Sequence, residues 1–301
     1  MKRTTRLLQV TALLGLTALL VACNGNSSSS MGTMNLAVSD TPVDGAQMVV
    51  VAFTGVDLMS SSAGLQTFQF ASERSINLLS LQGTASTQLL SGVNVPAGSY
   101  QWLRLDIDPA NSYIVTSAGA RFPLEIPSGS QSGLKLVSGF TVDQGGTTDF
   151  LVDFNLRQSL TESNAGGTTS YLLNPALRLI NLETAGSVSG TAASTLLIGG
   201  ESINNTSCDP AVYVYPQGTT VFNGFDVSIA GGTAPLTSAT LTLDASTGLY
   251  DYMVGYLAPG NYVLAVTCAG NDTSGATSLA VALPQNAMVT ANADTTVNFV
   301  P

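Results

Sequence analysis

The stretch that decides the fold is residues 100–108, which read Tyr-Gln-Trp-Leu-Arg-Leu-Asp-Ile-Asp. Leu103, Leu105 and Ile107 occupy every second position, so an extended chain would carry them on one face. Alternation of this kind is typical of a β-strand with one buried face. The pattern places the other side chains on the opposite face: Trp102, Arg104, Asp106 and Asp108.

A second stretch, residues 150–157, repeats the pattern. Its predicted inward residues are Phe150, Val152, Phe154 and Leu156, and its predicted outward residues are Asp153, Asn155 and Arg157. Other predicted strands are Met34–Val38, Met48–Val56, Tyr113–Val115, Leu134–Phe140, Ala176–Leu182, Ala211–Tyr215, Ala239–Leu243, Tyr250–Tyr256, Tyr262–Cys268, Ser278–Leu283 and Thr295–Val300. Turn clusters rich in Pro, Gly and Asp separate them, which favours an all-β sandwich architecture. Residues 75–90 leave room for a short helical turn.

A step in composition divides the chain near Ala185. No Lys or Arg occurs from Gly186 onward, where seven acidic residues remain. We therefore predict two tandem Ig-like or prealbumin-like β-sandwich domains, residues 32–184 and an acidic domain of residues 185–301. The turn at residues 95–100 resembles that at residues 257–262, since in each a Pro and Gly turn precedes a Tyr that starts a strand.

Residues 1–22 have the composition of an export signal. Three basic residues, Lys2, Arg3 and Arg6, precede an apolar run that is short for a membrane span. The run ends in Leu20-Val21-Ala22-Cys23, which resembles the bacterial lipobox. That resemblance implies cleavage before Cys23 and acylation of its thiol and new N-terminus, which would anchor the protein in a lipid bilayer. The alternative is an incidental thiol beside an ordinary signal.

Residues 23–31 are rich in Gly, Ser and Asn, and this composition predicts a flexible tether. Residue 24 is Asn and not the Asp associated with inner-membrane retention. We therefore expect an exported, membrane-anchored lipoprotein of the outer membrane, with either periplasmic or surface facing left open.

The composition excludes several classes of function. The chain has 9 Lys and Arg and 19 Asp and Glu, and removal of the signal leaves 6 against 19, a net charge of −13. This charge repels nucleic acid, so no nucleic-acid partner is expected. Histidine is absent, which removes Ser-His-Asp and Cys-His catalysis and most catalytic zinc sites. Carboxylate, lysine, tyrosine and calcium chemistry stay open.

Acylation of Cys23 would leave Cys208 and Cys268 as an even pair. In the oxidising compartment expected for an exported protein, such a pair predicts one disulfide. Two reduced, buried thiols are the alternative.

Several segments together resemble DUF4382, a bacterial domain family of unknown function. They are residues 38–44, 76–81, 95–100, 104–105, 126–129, 133–136, 152–155 and 173–178. The resemblance covers about residues 32–182 and implies a β-sandwich on an exported protein, without implying an activity. The family pattern often has Asp where Asn155 stands, which weakens a carboxylate pair there. Over shorter segments, Gly186–Thr191 and Leu257–Tyr262, the second domain resembles a non-catalytic carboxypeptidase-regulatory or prealbumin-like module.

The carboxylates of the two alternating strands are candidate functional groups. Asp106 and Asp108 share a predicted face with Arg104, and Asp153 shares one with Arg157. Paired carboxylates can serve in acid-base catalysis or bind calcium. The favoured interpretation is a solvated sheet face with cross-strand charge pairs.

Three further candidates lie outside those carboxylate pairs. Asp40 and Asp44 flank Pro42, where they either bind an ion with a backbone carbonyl or cap the turn. Trp102 with Tyr100 either forms a platform for stacking a sugar or packs under the second domain. Lys135 is predicted to be exposed or ion-paired.

The sequence therefore predicts a non-enzymatic cell-envelope lipoprotein that presents two β-sandwich domains to an unidentified envelope protein. A glycan-binding or adhesive surface module is the alternative, and a carboxylate-dependent hydrolase is less favoured. No cofactor is expected, with Ca²⁺ as the one alternative.

Overall fold

The computed structural model of this protein describes residues 30–41, 45–126, 133–164, 169–174, 176–225, 230–270 and 279–300. In these residues the chain forms 23 strands, a 3-10 turn at Leu78–Ser80 and one short helix, α1 (Leu156–Ser159). The predicted all-β fold is confirmed. The helical segments in the described part of the chain are too short to span a lipid bilayer.

The N-terminal half contains thirteen strands. They are β1 (Met31–Thr41), β2 (Ala46–Ser60), β3 (Gly64–Asn77), β4 (Thr87–Pro96), β5 (Gly98–Ile107), β6 (Tyr113–Thr116), β7 (Arg121–Glu125), β8 (Leu134–Leu136), β9 (Phe140–Val142), β10 (Thr147–Asn155), β11 (Leu160–Ser163), β12 (Ser170–Leu173) and β13 (Leu177–Asn181).

These strands form two sheets. Sheet I has the order β13-β10-β1-β4, in which β1 runs parallel to β10 and antiparallel to β4. Sheet II has the order β11-β12-β7-β6-β2-β5-β8, with β3 paired to β2 and β9 paired to β5. Inward side chains of both sheets, including Leu36, Leu103, Leu105 and Phe154, form one core. The alternation predicted for residues 103–107 is therefore confirmed.

The C-terminal half contains ten strands. They are β14 (Gly186–Ala193), β15 (Leu197–Ile198), β16 (Glu201–Ser202), β17 (Ala211–Pro216), β18 (Thr237–Thr240), β19 (Thr242–Asp244), β20 (Leu249–Leu257), β21 (Gly260–Thr267), β22 (Ala282–Val289) and β23 (Asp294–Thr296). Sheet III has the order β19-β20-β14-β23 and sheet IV the order β18-β17-β21-β22, and β15 and β16 form a hairpin. A second core, residues 188–299, packs between sheets III and IV.

Cys208 and Cys268 form the predicted disulfide. It joins the chain just before β17 to the chain just after β21, two strands that pair antiparallel in sheet IV. Because the covalent link closes a loop across 60 residues of sequence, it removes conformational freedom mainly from the unfolded chain.

The repeated turn forms the same hydrogen bond in each half. The Tyr100 hydroxyl donates to the Pro96 carbonyl oxygen at 2.7 Å, and the Tyr262 hydroxyl donates to the Ala258 carbonyl oxygen at 2.7 Å. Each tyrosine reaches back four residues, so its ring closes one end of a sandwich while its hydroxyl keeps a polar partner.

The C-terminal half covers the outer face of sheet I. Ala37, Leu151 and Ile180 on that face form a separate apolar cluster, against which Tyr256 of β20 packs. The Thr41 and Thr237 hydroxyls lie 2.9 Å apart in a hydrogen bond across the contact, and Arg157 donates to the Tyr213 hydroxyl at 3.0 Å. A Cβ on Gly255 would lie 2.6 Å from the Gly83 carbonyl oxygen, so only glycine allows this close approach.

Several predicted elements differ in detail from the structure. The segment predicted as one strand over 134–140 is divided into β8 and β9, and the segment over 239–243 is divided into β18 and β19. Residues 75–90 hold a single 3-10 turn between two strands. Ser278 lies outside the described residues, and β22 begins four residues later, at Ala282.

Each of the two main cores and each sheet is formed by residues from only one side of Ala185. The predicted division between residues 184 and 185 can therefore be tested by unfolding. Replacing both Cys208 and Cys268 by Ala is expected to lower the free energy of unfolding of the C-terminal half by about 2–4 kcal/mol. Trp102 is the only tryptophan and belongs to the N-terminal half, so its fluorescence reports that half alone. We expect the far-ultraviolet circular dichroism to gain an earlier phase and the Trp102 midpoint to shift less, because the N-terminal half keeps its own core but loses the cover of sheet I. Equal shifts in both signals would contradict two independent units.

Candidate functional site

Strand β5 and its neighbours present a mixed aromatic and charged outer face. Trp102, Arg104 and Asp106 lie on this face, as predicted, and Lys135 of β8 is the cross-strand neighbour of Arg104. The Lys135 ammonium nitrogen lies 4.4 Å from the centre of the Trp102 ring, and the Arg104 guanidinium carbon lies 5.9 Å from it. The tryptophan therefore makes cation-π contacts with both cations.

An apolar row runs beside these cations. Met59 of β2 is directly opposite Trp102 on one side and Leu65 of β3 on the other. Leu65 is 50% exposed. We call this surface the Trp102 face and define it as Met59, Leu65, Trp102, Arg104 and Lys135.

Arg104 is held by two carboxylates. It forms salt bridges with Asp57 of β2 and, at 3.1 Å through Nε, with Asp106. Asp57 is only 2% exposed and was missed by the sequence analysis. The sequence feature that could have identified Asp57 is its position between two apolar residues, Val56 and Leu58, where alternation places it on the polar face of the strand.

Burial raises the pKa of Asp106, and the Asp57 carboxylate raises it further, while Arg104 and Gln69 lower it. The two acids share one arginine, so this group is a charge network that fixes the Arg104 side chain.

The structure corrects the predicted pairing of Tyr100 with Trp102. Tyr100 is buried in the core and stacks on Phe140 with ring centres 4.8 Å apart, whereas Trp102 points outward. The pairing of β2 with β5 shifts by one residue between Tyr100 and Trp102, which turns the two side chains to opposite faces. A joint sugar platform is therefore wrong.

Asp108 does not extend the Trp102 face. Its carboxylate accepts hydrogen bonds from the Ala110 backbone amide and the Asn111 side chain, each at 2.9 Å. It therefore caps the turn that follows β5.

The prediction that Asp153 and Asn155 face solvent is wrong. Both lie on the outer face of sheet I, but the C-terminal half covers that face and leaves them buried. Asp153 accepts hydrogen bonds from Arg178 of β13, including one at 3.2 Å from Nε. The Asn155 side-chain oxygen accepts from the Gln158 amide at the start of α1. Its side-chain nitrogen has no hydrogen-bond partner.

A cavity of about 480 Å³ lies where the two halves meet. Its N-terminal lining includes Asp40, Thr41 and Asp153, and its C-terminal lining includes Ser238 and Asp251. The residues that line it supply carboxylate, hydroxyl and amide groups together with tyrosine rings.

Asp40 is the least satisfied polar group of this cavity. It is 3% exposed, and neither carboxylate oxygen has a hydrogen-bond partner. Burial raises the pKa of Asp40 well above its ordinary value, and the Asp153 carboxylate raises it further. The backbone amides of Leu156 and Thr41 and the Arg157 guanidinium act in the opposite direction. Asp44, which the sequence paired with Asp40, lies outside the described residues, as does Cys23.

No cluster of three Asp, Glu, His or Cys side chains suited to a metal occurs in the described part of the chain. Any cation at Asp40 would therefore depend on hydroxyl, carbonyl or water oxygens for most of its ligands.

Residues 31–175 match the family model described as a domain of unknown function, DUF4382. The match supports the resemblance found in the sequence for nearly the same residues. No curated protein matches the chain significantly.

Several solved structures are similar to the chain at low identity. A leucine-rich repeat protein from Bacteroides thetaiotaomicron is 14% identical over 91% of this chain and 26% of its own, with a TM-score of 0.25. The GBS52 minor pilin of Streptococcus agalactiae is 12% identical over 89% and 97% of the two chains, with a TM-score of 0.19. A mutant form of the shaft pilin SpaA of Lactobacillus rhamnosus GG is 10% identical over 90% and 100%, with a TM-score of 0.19.

The chain spans 26% of the first of these structures and 34% of the Bacillus anthracis TIE protein, which it also matches.

Asp40→Asn is expected to stabilise the protein in chelator-treated buffer at pH 8 by about 1–3 kcal/mol, because a buried carboxylate without partners is replaced by a neutral amide. The pKa of Asp40 is higher in the folded than in the unfolded protein, so its protonation favours folding of the wild type below pH 3.8. This stabilisation is lost as the pH rises through the folded-state pKa. The stability difference should therefore shrink as the pH falls from 8 to 4, as measured by thermal unfolding.

Asp244→Asn is the matched control. Hydrogen bonds from Ser246 lower the pKa of Asp244, so this variant should be the less stable protein at pH 8 and approach the wild type at low pH. A difference between Asp40→Asn and the wild type that does not change with pH would contradict a buried, unpaired Asp40.

Proposed function

We propose that this protein is a non-enzymatic lipoprotein of the bacterial cell envelope that binds a partner protein through the Trp102 face. The observation that carries the proposal is the row of partly exposed Met59 and Trp102 and exposed Leu65 on sheet II, flanked by fixed charges. Trp and Arg are the residues most often found at the energetic centre of protein interfaces.

The geometry of the face suits a specific contact. Leu65 is 50% exposed and Val137, just beyond β8, is 76% exposed. They lie on either side of Trp102, so a partner that covers this row would bury a continuous apolar strip. Arg104 is immobilised by Asp57 and Asp106, which lowers the conformational entropy lost on binding.

Lys135 indicates the charge of the partner. Its ammonium group lies on the Trp102 ring, while Asp57 and Asp106 are engaged by Arg104. A carboxylate of the partner could therefore approach Lys135 at the edge of the strip, where a rim charge contributes mainly to association rate and specificity.

A polysaccharide is the second candidate ligand, because a partly exposed Trp can stack on a sugar ring. The Lys135 ammonium already lies over the Trp102 ring, so stacking would have to displace it. A carboxylate-dependent hydrolase has the least support. Asp106 shares Arg104 with Asp57, and Asp108 is bonded to its own turn.

The proposed location rests on the sequence of the first 31 residues. The lipobox-like ending at Cys23 and the tether that follows would leave the folded halves attached to, but held away from, an outer membrane. Stable anchoring needs more than one acyl chain, which a lipid-modified N-terminal Cys would provide.

The partner contact can be tested by placing a photoreactive amino acid at Leu65 in the full-length protein in cells. We expect one dominant crosslinked envelope protein. Leu243, in sheet III, is also 50% exposed and serves as the matched control position. Trp102→Ala in the Leu65-labelled protein should abolish the crosslink. Identical crosslinks from both positions, or recovery of polysaccharide alone, would contradict a protein partner at this face.

Anchoring is tested separately by Cys23→Ser. The variant should no longer incorporate a fatty-acid analogue and should leave the membrane fraction after cell breakage. Cys268→Ser retains Cys23 and should stay lipid-labelled. Unchanged membrane fractionation of Cys23→Ser would exclude the proposed anchor.

A further inference from the structure

We propose that β3 pairs in antiparallel fashion with β3 of a second copy of this chain, so that sheet II continues from one molecule into the next. The contact lies at the edge of sheet II and not on the outer surface of the Trp102 face, so it is separate from the partner contact proposed above. Three features support it: an open strand edge, the uncharged side chains of that edge, and the symmetry of its pairing.

The open edge of β3 is the first feature. β3 lies along one side of β2, and β5 and β6 occupy the other side of β2. Among the described residues, β3 pairs with no strand except β2. The backbone groups on its far side therefore lack a strand partner in that part of the chain, and such an edge is a template for pairing with another chain.

The usual protections of an edge strand do not occur in the sequence of this segment. Native edges are commonly blocked by charged side chains or Pro, and residues 58–72 contain neither. The regular pairing of β3 with β2 runs from Gly64 to Gln69 and is interrupted before Arg74. Residues 65–70 read Leu-Gln-Thr-Phe-Gln-Phe, an uncharged segment without Pro or Gly of the kind that pairs with copies of itself.

The inner side of the same edge is incompletely buried. Phe68 and Phe70 pack against the N-terminal core but stay only partly buried. The Arg74 guanidinium carbon lies 4.2 Å from the centre of the Phe70 ring and covers it in part. A second strand beside β3 would cover the flank of Phe68 and remove further apolar surface from water.

The charge of the chain restricts where two copies can meet. Removal of the predicted signal leaves 6 basic and 19 acidic residues, a net charge of −13, so two copies repel each other over most of their surface. At the β3 edge the outward side chains are Leu65, Thr67 and Gln69, which are exposed and uncharged. Two copies can therefore approach here without placing like charges opposite each other.

The symmetry of the edge favours a second copy over an unrelated strand. Antiparallel pairing about a twofold axis at Thr67 pairs every residue from Gly64 to Phe70 within β3 itself. Leu65 then lies opposite Gln69 of the other copy, and the two Thr67 hydroxyls can hydrogen-bond. An axis perpendicular to the sheet also keeps the outward faces of both copies on the same side, as the alternation of side chains requires.

Thr67→Cys in the full-length protein tests the contact in cells under mild oxidation. Directly opposed residues of an antiparallel pair have Cα atoms about 4.5–5.5 Å apart, which a disulfide can span. Thr161→Cys is the matched control, because Thr161 is also exposed and lies on β11, at another edge of sheet II. We expect at least about tenfold more disulfide-linked dimer from Thr67→Cys than from Thr161→Cys on non-reducing gels.

Leu65→Cys and Gln69→Cys test the register. Each variant alone should form little dimer, because identical positions would lie about 13 Å apart, four residues along the strand. The two variants expressed together with different tags should form a mixed dimer as readily as Thr67→Cys does. The wild-type chain, in which Cys208 and Cys268 are already joined, is the blank.

Equal amounts of dimer from Thr67→Cys and Thr161→Cys would overturn the proposal, and so would a Thr67→Cys product that contains a different protein. Leu65→Cys alone dimerising as well as the mixed pair would contradict the antiparallel register. A strong Thr67→Cys dimer in cells where the Leu65 photocrosslink captures no other protein would support the edge contact and contradict only the partner at the Trp102 face.

Discussion

Sheet I has an apolar core on one face and the C-terminal half on the other, and this double burial constrains the whole molecule. A sheet covered on one side can leave its outward residues to water. Here Asp153 and Asn155 cannot reach water, so Arg178 must supply the counter-charge for Asp153.

Sheet II keeps its polar face open, and its chemistry differs accordingly. Arg104, Asp57 and Asp106 form a charge network in which Asp57 is buried and the other two side chains are partly exposed. The network holds Arg104 in position beside Trp102. One half of the chain therefore carries two unlike polar regions, a closed one and an open one.

Local alternation was enough to predict the fold class and the inward residues of β5 and β10. If Cys23 is acylated, two cysteines remain, and this even number was enough to predict the disulfide. Sequence patterns did not predict which polar residues are buried by tertiary contacts. Periodicity identifies which residues share a face of β10 but does not say what covers that face, so Asp153 and Asn155 were assigned to solvent.

A one-residue shift in strand pairing was likewise invisible in the sequence, and it moved Tyr100 into the core. Asp57 was missed because its partner Arg104 lies 47 residues further along the chain and becomes a neighbour only through the pairing of β2 with β5. The surroundings of the Asp40 carboxylate depend on the parallel pairing of β1 with β10, which no local pattern encodes.

The position of β1 has a mechanical consequence. The strand begins at Met31, the last residue of the predicted tether, and it lies inside sheet I between β10 and β4. Nine consecutive residues, Thr33 to Thr41, pair with β10 in parallel register. A pull on the N-terminus along the strand axis therefore loads many hydrogen bonds in shear at the same time, instead of breaking them one after another. A domain tied to a membrane at this point would be attached by a strand that is paired on both sides.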